Sequence, residues 1–314
     1  MKRRSPLQAE KPAPRRTGRT PMPAAATKRS KLGFIGLGDI GLPMASNLLK
    51  GGFDVSVCDL RPAAVKAAVK LGARAAASVK ALAASCDYIS IAVVNEAQMD
   101  LVVSGPDGLF ANARPGTAIL SHSTMPPAVA EHFAGRAEAL GLAWLDVPMS
   151  GASVAAKAGT LTFLVGGDAR LLDRCRPILK AMGTNIFHIG PMGTGQVAKL
   201  VNGLLLHVGY VAILEALNLA SAYRVPEAQI IALASVSTGN SWSVKYWGHM
   251  DDLVEKHIQG PEAVIQTHMR KDILDALIAA KAADTSMPMT GIAMEIYPDL
   301  VRERLRRLGK RIRS

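Results

Sequence analysis

From residue 31 to about residue 190, short apolar runs alternate with segments whose apolar residues return every three or four positions. The run LGFI at 32–35 predicts a strand. Met44, Leu48 and Leu49 then fall at helical spacing, and Gly51-Gly52 ends that helix. DVSVC predicts a second strand closing on Asp59, and CDYISIAVV, GTAILS, GLAWLDV and LTFLVGG each contain another. Strands and helices alternating in this way point to an α/β domain around a parallel sheet. At Met192 the pattern changes. MGTGQVAKLVNGLLLHVGYVAILEALNLA is apolar on nearly every side and predicts one long helix. Lys199 stands near its start among Val197, Ala198, Leu200 and Val201, where an ammonium ion is out of place unless it faces something other than core.

Composition narrows the class. Hydrophobic residues make up 49% of the 314 but aromatics only 4%, so the core rests on Ala, Leu, Val and Ile, which suits helices packed on a parallel sheet. Cys58, Cys86 and Cys175 are too scattered for a disulfide framework and form no CxxC pair, so a reducing, cytoplasmic setting is expected. Asn202, His207, Glu215 and Asn218 interrupt the long helix, which favours a buried helix of a soluble protein over a membrane span.

The net charge of +12 raises the question of nucleic acid. Residues 1–30 hold nine Lys/Arg against Glu10, and residues 301–314 hold seven against Glu303, which leaves residues 31–300 at −2. The basicity therefore belongs to the two ends, and a nucleic-acid partner is not favoured. Residues 1–30, rich in Pro, Arg and Ala and without apolar periodicity, are expected to be disordered. Spaced prolines spoil an amphipathic transit helix there, and no apolar stretch suited to secretion follows the charges.

Gly36, Gly38 and Gly41 stand in GxGxxG spacing between the first strand and its helix, with Asp39 and Ile40 completing the turn. The order strand, glycine turn, helix, strand, acid is that of a dinucleotide cradle. The first glycine permits the turn, the second lets a pyrophosphate approach the backbone, and the third lets helix and strand pack closely. The phosphates would rest at the helix N-terminus. Asp59 can accept hydrogen bonds from the adenosine ribose hydroxyls and repels a 2′-phosphate, so NAD is preferred, while the nearby Arg61 keeps NADP open. Two further strands end in Val94, Asn95 and Gln98 and in Ser123 and Thr124, which would line the nicotinamide half of the cleft. Ser123 and Thr124 also suit a role capping the next helix.

Ser150-Gly151-Ala152 follows another strand, where a hydroxyl and backbone N–H groups can meet a carboxylate. With GFIGLGDIGLPMASNLLKGG, DVPMSGASVAAKAGTLTFLVGG, GTGQVAKLVNG and MRKDILDAL in this order, residues 31–295 resemble the β-hydroxyacid dehydrogenase family, which includes 3-hydroxyisobutyrate dehydrogenase and tartronate semialdehyde reductase. The resemblance implies a Rossmann-like NAD-binding domain over residues 31–192 and an all-helical substrate and oligomerisation domain over 193–314, joined by the long helix. It implies that Lys199 is catalytic, that Ser150 and Gly151, with Ala152, form the substrate-carboxylate loop, that Thr124 lies beside the nicotinamide, and that Lys271 reaches back to the cofactor. It also implies a homodimer or homotetramer. The chain departs from the family pattern at Ala152, where Ser-Gly-Gly is usual; at Gly203, where an asparagine usually follows the lysine by four residues; and in its short basic ending. Asn202 lies on roughly the same helix face as Lys199 and is the candidate substitute.

Hydride transfer from a hydroxyl carbon needs a base for the hydroxyl proton. Apolar neighbours and the helix N-terminus both favour the neutral amine of Lys199 over its ammonium. From the helix alone, a solvent-facing lysine would be the plainer reading; the four ordered blocks reverse that. His207 and Glu215 are read as interhelical or surface groups. Asn240, Trp242 and Tyr246 are pocket candidates, although aromatics in helical domains are more often core. His249, His257 and His268 lack the close spacing of a metal site. The expected activity is NAD-linked oxidation of a small 3-hydroxy acid. The competing readings are an imine reductase-like enzyme, which typically lacks this lysine, and a catalytically silent scaffold binding nucleic acid through its basic ends.

Overall fold

The computed structural model describes residues 21–256 and 270–309. The basic opening up to residue 20, His257, His268 and the basic ending after residue 309 lie outside the described residues.

The apolar runs form strands with helices between them. The order is β1 (Lys31–Ile35), α1 (Gly41–Lys50), β2 (Asp54–Cys58), α2 (Pro62–Lys70), β3 (Arg74–Ala75), α3 (Val79–Ser85) and β4 (Tyr88–Ile91). Next come α4 (Glu96–Val103), α5 (Leu109–Asn112), β5 (Ala118–Ser121), α6 (Pro127–Ala139) and β6 (Ala143–Asp146). These six strands are parallel and lie in the order β3-β2-β1-β4-β5-β6. The strand order reverses between β1 and β4, and an open α/β sheet offers its ligand crevice there, beyond the carboxyl ends of the strands. Side chains alternate across β1: Phe34 enters the apolar layer of Met44, Leu48 and Phe163, while Ile35 enters that of Ile89, Met99 and Phe133.

The sheet then continues through β7 (Met149–Ser150), α7 (Ala152–Ala158), β8 (Leu161–Gly166), α8 (Ala169–Met182) and β9 (Gly183–Gly190). The sheet is mostly parallel, as expected; β8 runs antiparallel to β6 and β7, and β9 is parallel to β8. Only a short connection separates β7 from β8, too little for the crossover that parallel neighbours need.

The expected disorder of residues 1–30 is corrected over 21–30. Ala26 is buried in the core, and its N–H donates to the Arg174 carbonyl at 2.9 Å. Arg174 and Tyr88 in turn donate to the carbonyls of Pro23 and Ala24. Small Ala and Pro residues allow this extended segment to lie flat against the domain.

Beyond the sheet come α9 (Thr194–Ala222), α10 (Glu227–Ser235), α11 (Trp242–Lys245), α12 (His249–Lys256), α13 (Arg270–Ala282) and α14 (Pro288–Arg307). One face of α9 carries Gln196 toward the sheet and Leu200, Gly203, His207, Tyr210, Leu214 and Leu217 into the interior, where the helix packs against α13 and α14. The opposite side leaves Val197, Val201, Leu205 and Leu219 exposed. The helix is long and apolar enough to cross a membrane, with a mean hydropathy of 1.7, yet one of its faces is taken up by packing.

Within this helical part Arg304 is buried. It donates to both Asp251 oxygens at 2.8 and 2.7 Å and to both Glu227 oxygens at 2.9 and 3.1 Å, with its guanidinium 4.3 Å above the Trp247 ring. Arg306 and Arg307 pair with Glu303, and Arg302 with Asp299. The charge of residues 302–307, assigned from the sequence to a basic tail, is thus largely neutralised inside or along a packed helix.

At the end of β5, His122 is wholly enclosed. Its Nδ1 lies 3.0 Å from the Val147 carbonyl and its Nε2 3.1 Å from Ser90 Oγ. Burial pushes its imidazole down to about 4, with the hydrogen bond to Val147 opposing only in part. Below the ordinary histidine value of about 6.5, the unfolded chain takes up a proton that the folded one refuses. Stability should therefore fall as pH falls from about 6.5 to about 4, at up to about 1.4 kcal/mol per pH unit from this residue. Urea unfolding of His122→Gln across that window should give a shallower slope, and an identical slope would remove His122 as its source.

Candidate active site

The crevice begins at the glycine turn after β1. Gly36 adopts φ +90°, and a Cβ there would lie 2.3 Å from the Ala92 carbonyl oxygen, so only glycine can turn the chain at this point. Gly41 packs back against the turn, where a Cβ would come within 2.0 Å of the Gly36 oxygen. Gly38 is different. Nothing lies within 4 Å of the Cβ it lacks. Ile40, at the start of α1, supplies no side-chain cap, and Asp39 beside it is exposed. In the first turn of α1 the Leu42 N–H donates to the Gly38 carbonyl at 3.1 Å and Pro43 has no N–H, so it is the turn backbone around Gly38 that stands open to an outside acceptor.

Asp59 follows β2 and reaches under the turn. Its Oδ2 accepts the Leu37 N–H at 2.6 Å, and its Oδ1 accepts the Arg61 N–H at 2.8 Å and Arg61 Nε at 3.0 Å. Burial raises the carboxyl, but the bonds from the Arg61 side chain and from the Leu37 and Arg61 backbones outweigh it and hold Asp59 below its ordinary range. An open space above Gly38, an uncapped helix start and an ionised carboxylate beyond β2 fit a dinucleotide.

The loops after β4 and β5 are stapled together. Ser123 Oγ accepts the Val93 N–H at 3.0 Å and donates to the Val93 carbonyl at 2.7 Å. Asn95 caps α4 through the Gln98 N–H at 2.9 Å, and Val94 stays 44% exposed at the rim. Ser123 and Thr124 do not cap α6. Pro126 and Pro127 preset the start of that helix without a side-chain cap, which overturns the capping expectation.

Behind these loops lies a pair the sequence reading passed over. Asp146, fully buried at the end of β6, accepts Gln196 Nε2 at 2.6 Å on one oxygen and the Gln196 N–H at 3.0 Å on the other. The same Nε2 donates to the Ser123 carbonyl at 2.9 Å, and Gln196 Oε1 accepts the Met125 N–H at 3.0 Å. Burial pushes the Asp146 carboxyl up to about 7 against the Gln196 hydrogen bonds that lower it. A glutamine amid apolar neighbours, three residues before Lys199, was the available signal.

Lys199 is half-buried one turn further along α9. On the same side, Asn202 Nδ2 donates to Ser150 Oγ at 3.2 Å, joining the helix to the loop after β7. Gly151 at φ +122° and Ala152 at φ +54° turn that loop into α7. Alanine in the left-handed region costs about 1–2 kcal/mol, which explains why glycine suits the third position of such a loop. Lys271 comes from α13. Its Nζ donates to the Thr124 carbonyl at 2.7 Å and pairs with Asp275 at 2.7 Å, so it ties the helical part to the β5 loop. Burial raises the Asp275 carboxyl, with Lys271 opposing. Trp242 and Tyr246 pack with ring centroids 4.9 Å apart at a tilt of 37° and remain 38% and 44% exposed, so they are not core. Asn240 is exposed.

Comparison with known proteins agrees with this geometry. Residues 31–190 match the family described as the NAD binding domain of 6-phosphogluconate dehydrogenase, and residues 193–310 match NAD-binding of NADP-dependent 3-hydroxyisobutyrate dehydrogenase. The NAD-dependent L-serine dehydrogenase of Pseudomonas aeruginosa is 38% identical over 277 residues, covering 87% of this chain and 93% of that protein. The crystal structure of 3-hydroxyisobutyrate dehydrogenase from Salmonella typhimurium superposes with a TM-score of 0.76 at 30% identity, over 86% of this chain and 93% of that one. The Mycobacterium tuberculosis 3-hydroxyisobutyrate dehydrogenase with L-serine gives 0.71 at 29% identity, over 87% and 94%.

Because Gly38 has free space and its φ is not left-handed, Gly38→Ala should leave the unfolding midpoint unchanged while weakening NAD binding about tenfold or more, some 1.4 kcal/mol. Calorimetric titration with NAD reads this directly. Unchanged affinity would place the pyrophosphate elsewhere.

Proposed function

The chain belongs to the β-hydroxyacid dehydrogenase family, NAD(P)-dependent oxidoreductases acting on CH–OH groups, and on that premise we propose that it oxidises a small 3-hydroxy acid with Lys199 as general base. The bound nicotinamide dinucleotide supplies the hydride acceptor. The rest falls to this chain's own residues.

The observation that carries the reading is the 3.2 Å hydrogen bond between Asn202 and Ser150. It joins the end of β7, where the carboxylate loop begins, to the helix that carries Lys199. Ser150 Oγ and the loop N–H groups beside Gly151 and Ala152 hold the substrate carboxylate. A 3-hydroxy acid then carries its hydroxyl two carbons away, toward Lys199, whose amine takes the hydroxyl proton and returns it in the reverse direction. Asn202 occupies the role that an asparagine at position 203 has in the family pattern. Gly36, Gly38, Asp39, Ile40 and Gly41 cradle the pyrophosphate, Asp59 receives the adenosine ribose, and Val94, Asn95 and Thr124 border the nicotinamide. Lys271 positions the Thr124 loop through its carbonyl. An ionised Asp59 repels a 2′-phosphate and favours NAD, while Arg61 beside it leaves NADP within reach.

Lys199→Met should lower kcat by roughly 10²–10⁴-fold with NAD affinity retained, as expected for loss of a general base. Steady-state NADH formation with 3-hydroxyisobutyrate and L-serine as probes measures it. A wild-type rate in the variant would sink the assignment.

The exposed strip of Val197, Val201, Leu205 and Leu219 on α9 fits a second copy of this chain better than water. Light scattering should give a dimer or larger assembly, with Leu205→Glu shifting it toward monomer. A monomeric wild-type chain would refute this.

A further inference from the structure

The loop after β5 is held from the helical side. The Ser123 carbonyl accepts Gln196 Nε2 at 2.9 Å, the Thr124 carbonyl accepts Lys271 Nζ at 2.7 Å, and the Met125 N–H donates to Gln196 Oε1 at 3.0 Å. Three consecutive residues are therefore tied to α9 and α13. The Ser123 hydroxyl, by contrast, reaches Val93 in the loop after β4.

Gln196 uses every polar group of its amide. Nε2 has two hydrogens, one for the Ser123 carbonyl and one for Asp146 Oδ1 at 2.6 Å, while Oε1 takes the Met125 N–H. The reverse orientation would set the amide oxygen against a carboxylate and the nitrogen against an N–H, so the network fixes which way the amide points. Glutamate and methionine are of similar length, yet neither supplies two donors and an acceptor. Gln196 and Asp146 are both fully buried, so water cannot replace a lost bond. The backbones around them leave no slack. A Cβ on Gly166 of β8 would lie 2.8 Å from the Gly195 nitrogen and 3.1 Å from Asp146 Oδ2. Within this fixed frame the amide grips both flanks of Thr124, and Lys199 follows it by three residues on the same helix.

We infer that Gln196 is a positioning residue for hydride transfer: it fastens the nicotinamide-bordering loop to the helix of Lys199, so that nicotinamide and amine keep one spacing. This rests on the reading of Thr124 and Lys199 given above. Asp146 acts one step behind, holding the amide and not the loop.

The test separates the nicotinamide from the rest of the dinucleotide. ADP-ribose keeps the adenosine, pyrophosphate and second ribose of NAD but has no nicotinamide. Calorimetric titration compares the two ligands in wild type, in Gln196→Met, and in a paired exchange of Asp146→Asn with Gln196→Glu. The exchange swaps donor and acceptor across the 2.6 Å contact and keeps an acceptor for the Met125 N–H, but leaves the Ser123 carbonyl without its donor. Both variants should lower NAD affinity about fivefold or more, with ADP-ribose affinity held within about twofold. The paired exchange should do so near the wild-type unfolding midpoint. In both, kcat with L-serine as probe should fall about tenfold or more, with KM changed less. Equal losses for the two ligands would make Gln196 a structural prop, and unchanged NAD affinity in both variants would free the loop from it. Either outcome overturns the inference. The titration needs no turnover, so if the wild type oxidises no 3-hydroxy acid the Lys199 reading fails, while binding still decides whether Gln196 holds the nicotinamide loop.

Discussion

The site depends on the buried bracket between Asp146 and Gln196. One glutamine side chain holds the carboxylate at the end of β6, the Ser123 carbonyl and the Met125 N–H, while its own backbone N–H completes the carboxylate's pairing. Two separate stretches of chain, the end of β6 and the loop after β5, are thereby fixed to the first turn of α9. A carboxylate at a helix N-terminus also meets the positive end of the helix dipole. The approach is so close that a Cβ on Gly195 would lie 2.5 Å from the Leu164 oxygen and 2.8 Å from Asp146 Oδ2. Lys199 inherits its position from this fastening, as the next turn of a helix that cannot slide.

The cradle was legible because its determinants are local. Glycine spacing, apolar runs and the acid after β2 all lie within thirty residues, and each demands a particular backbone shape. The bracket was not legible, since its partners are 50 to 73 residues apart and each alone resembles an ordinary polar residue. The same holds for Arg304. In sequence it is one of several arginines near a basic end, and only the packing of α14 against α10 and α12 places Glu227 and Asp251 around it. Ala26 escaped notice for a similar reason, because an extended segment packs through small residues that leave no periodic trace.

Asn202 shows how a departure from a family pattern can be absorbed. The side chain missing at position 203 and the one present at 202 differ by 100° around the helix, yet the latter reaches Ser150 because the loop after β7 approaches from that side. The bond keeps the end of β7 tethered to α9.

α9 runs without a break through 29 residues, roughly 44 Å at 1.5 Å per residue. It is fastened at one end by the Asp146–Gln196 bracket and packs against α13 and α14 along the remainder, so any tilt of the helix would pivot close to Lys199. A tilt of about 5° at that pivot would swing the far end by roughly 4 Å but move the backbone at Lys199 by well under 1 Å. Large excursions at the distal helices are therefore compatible with a nearly stationary amine.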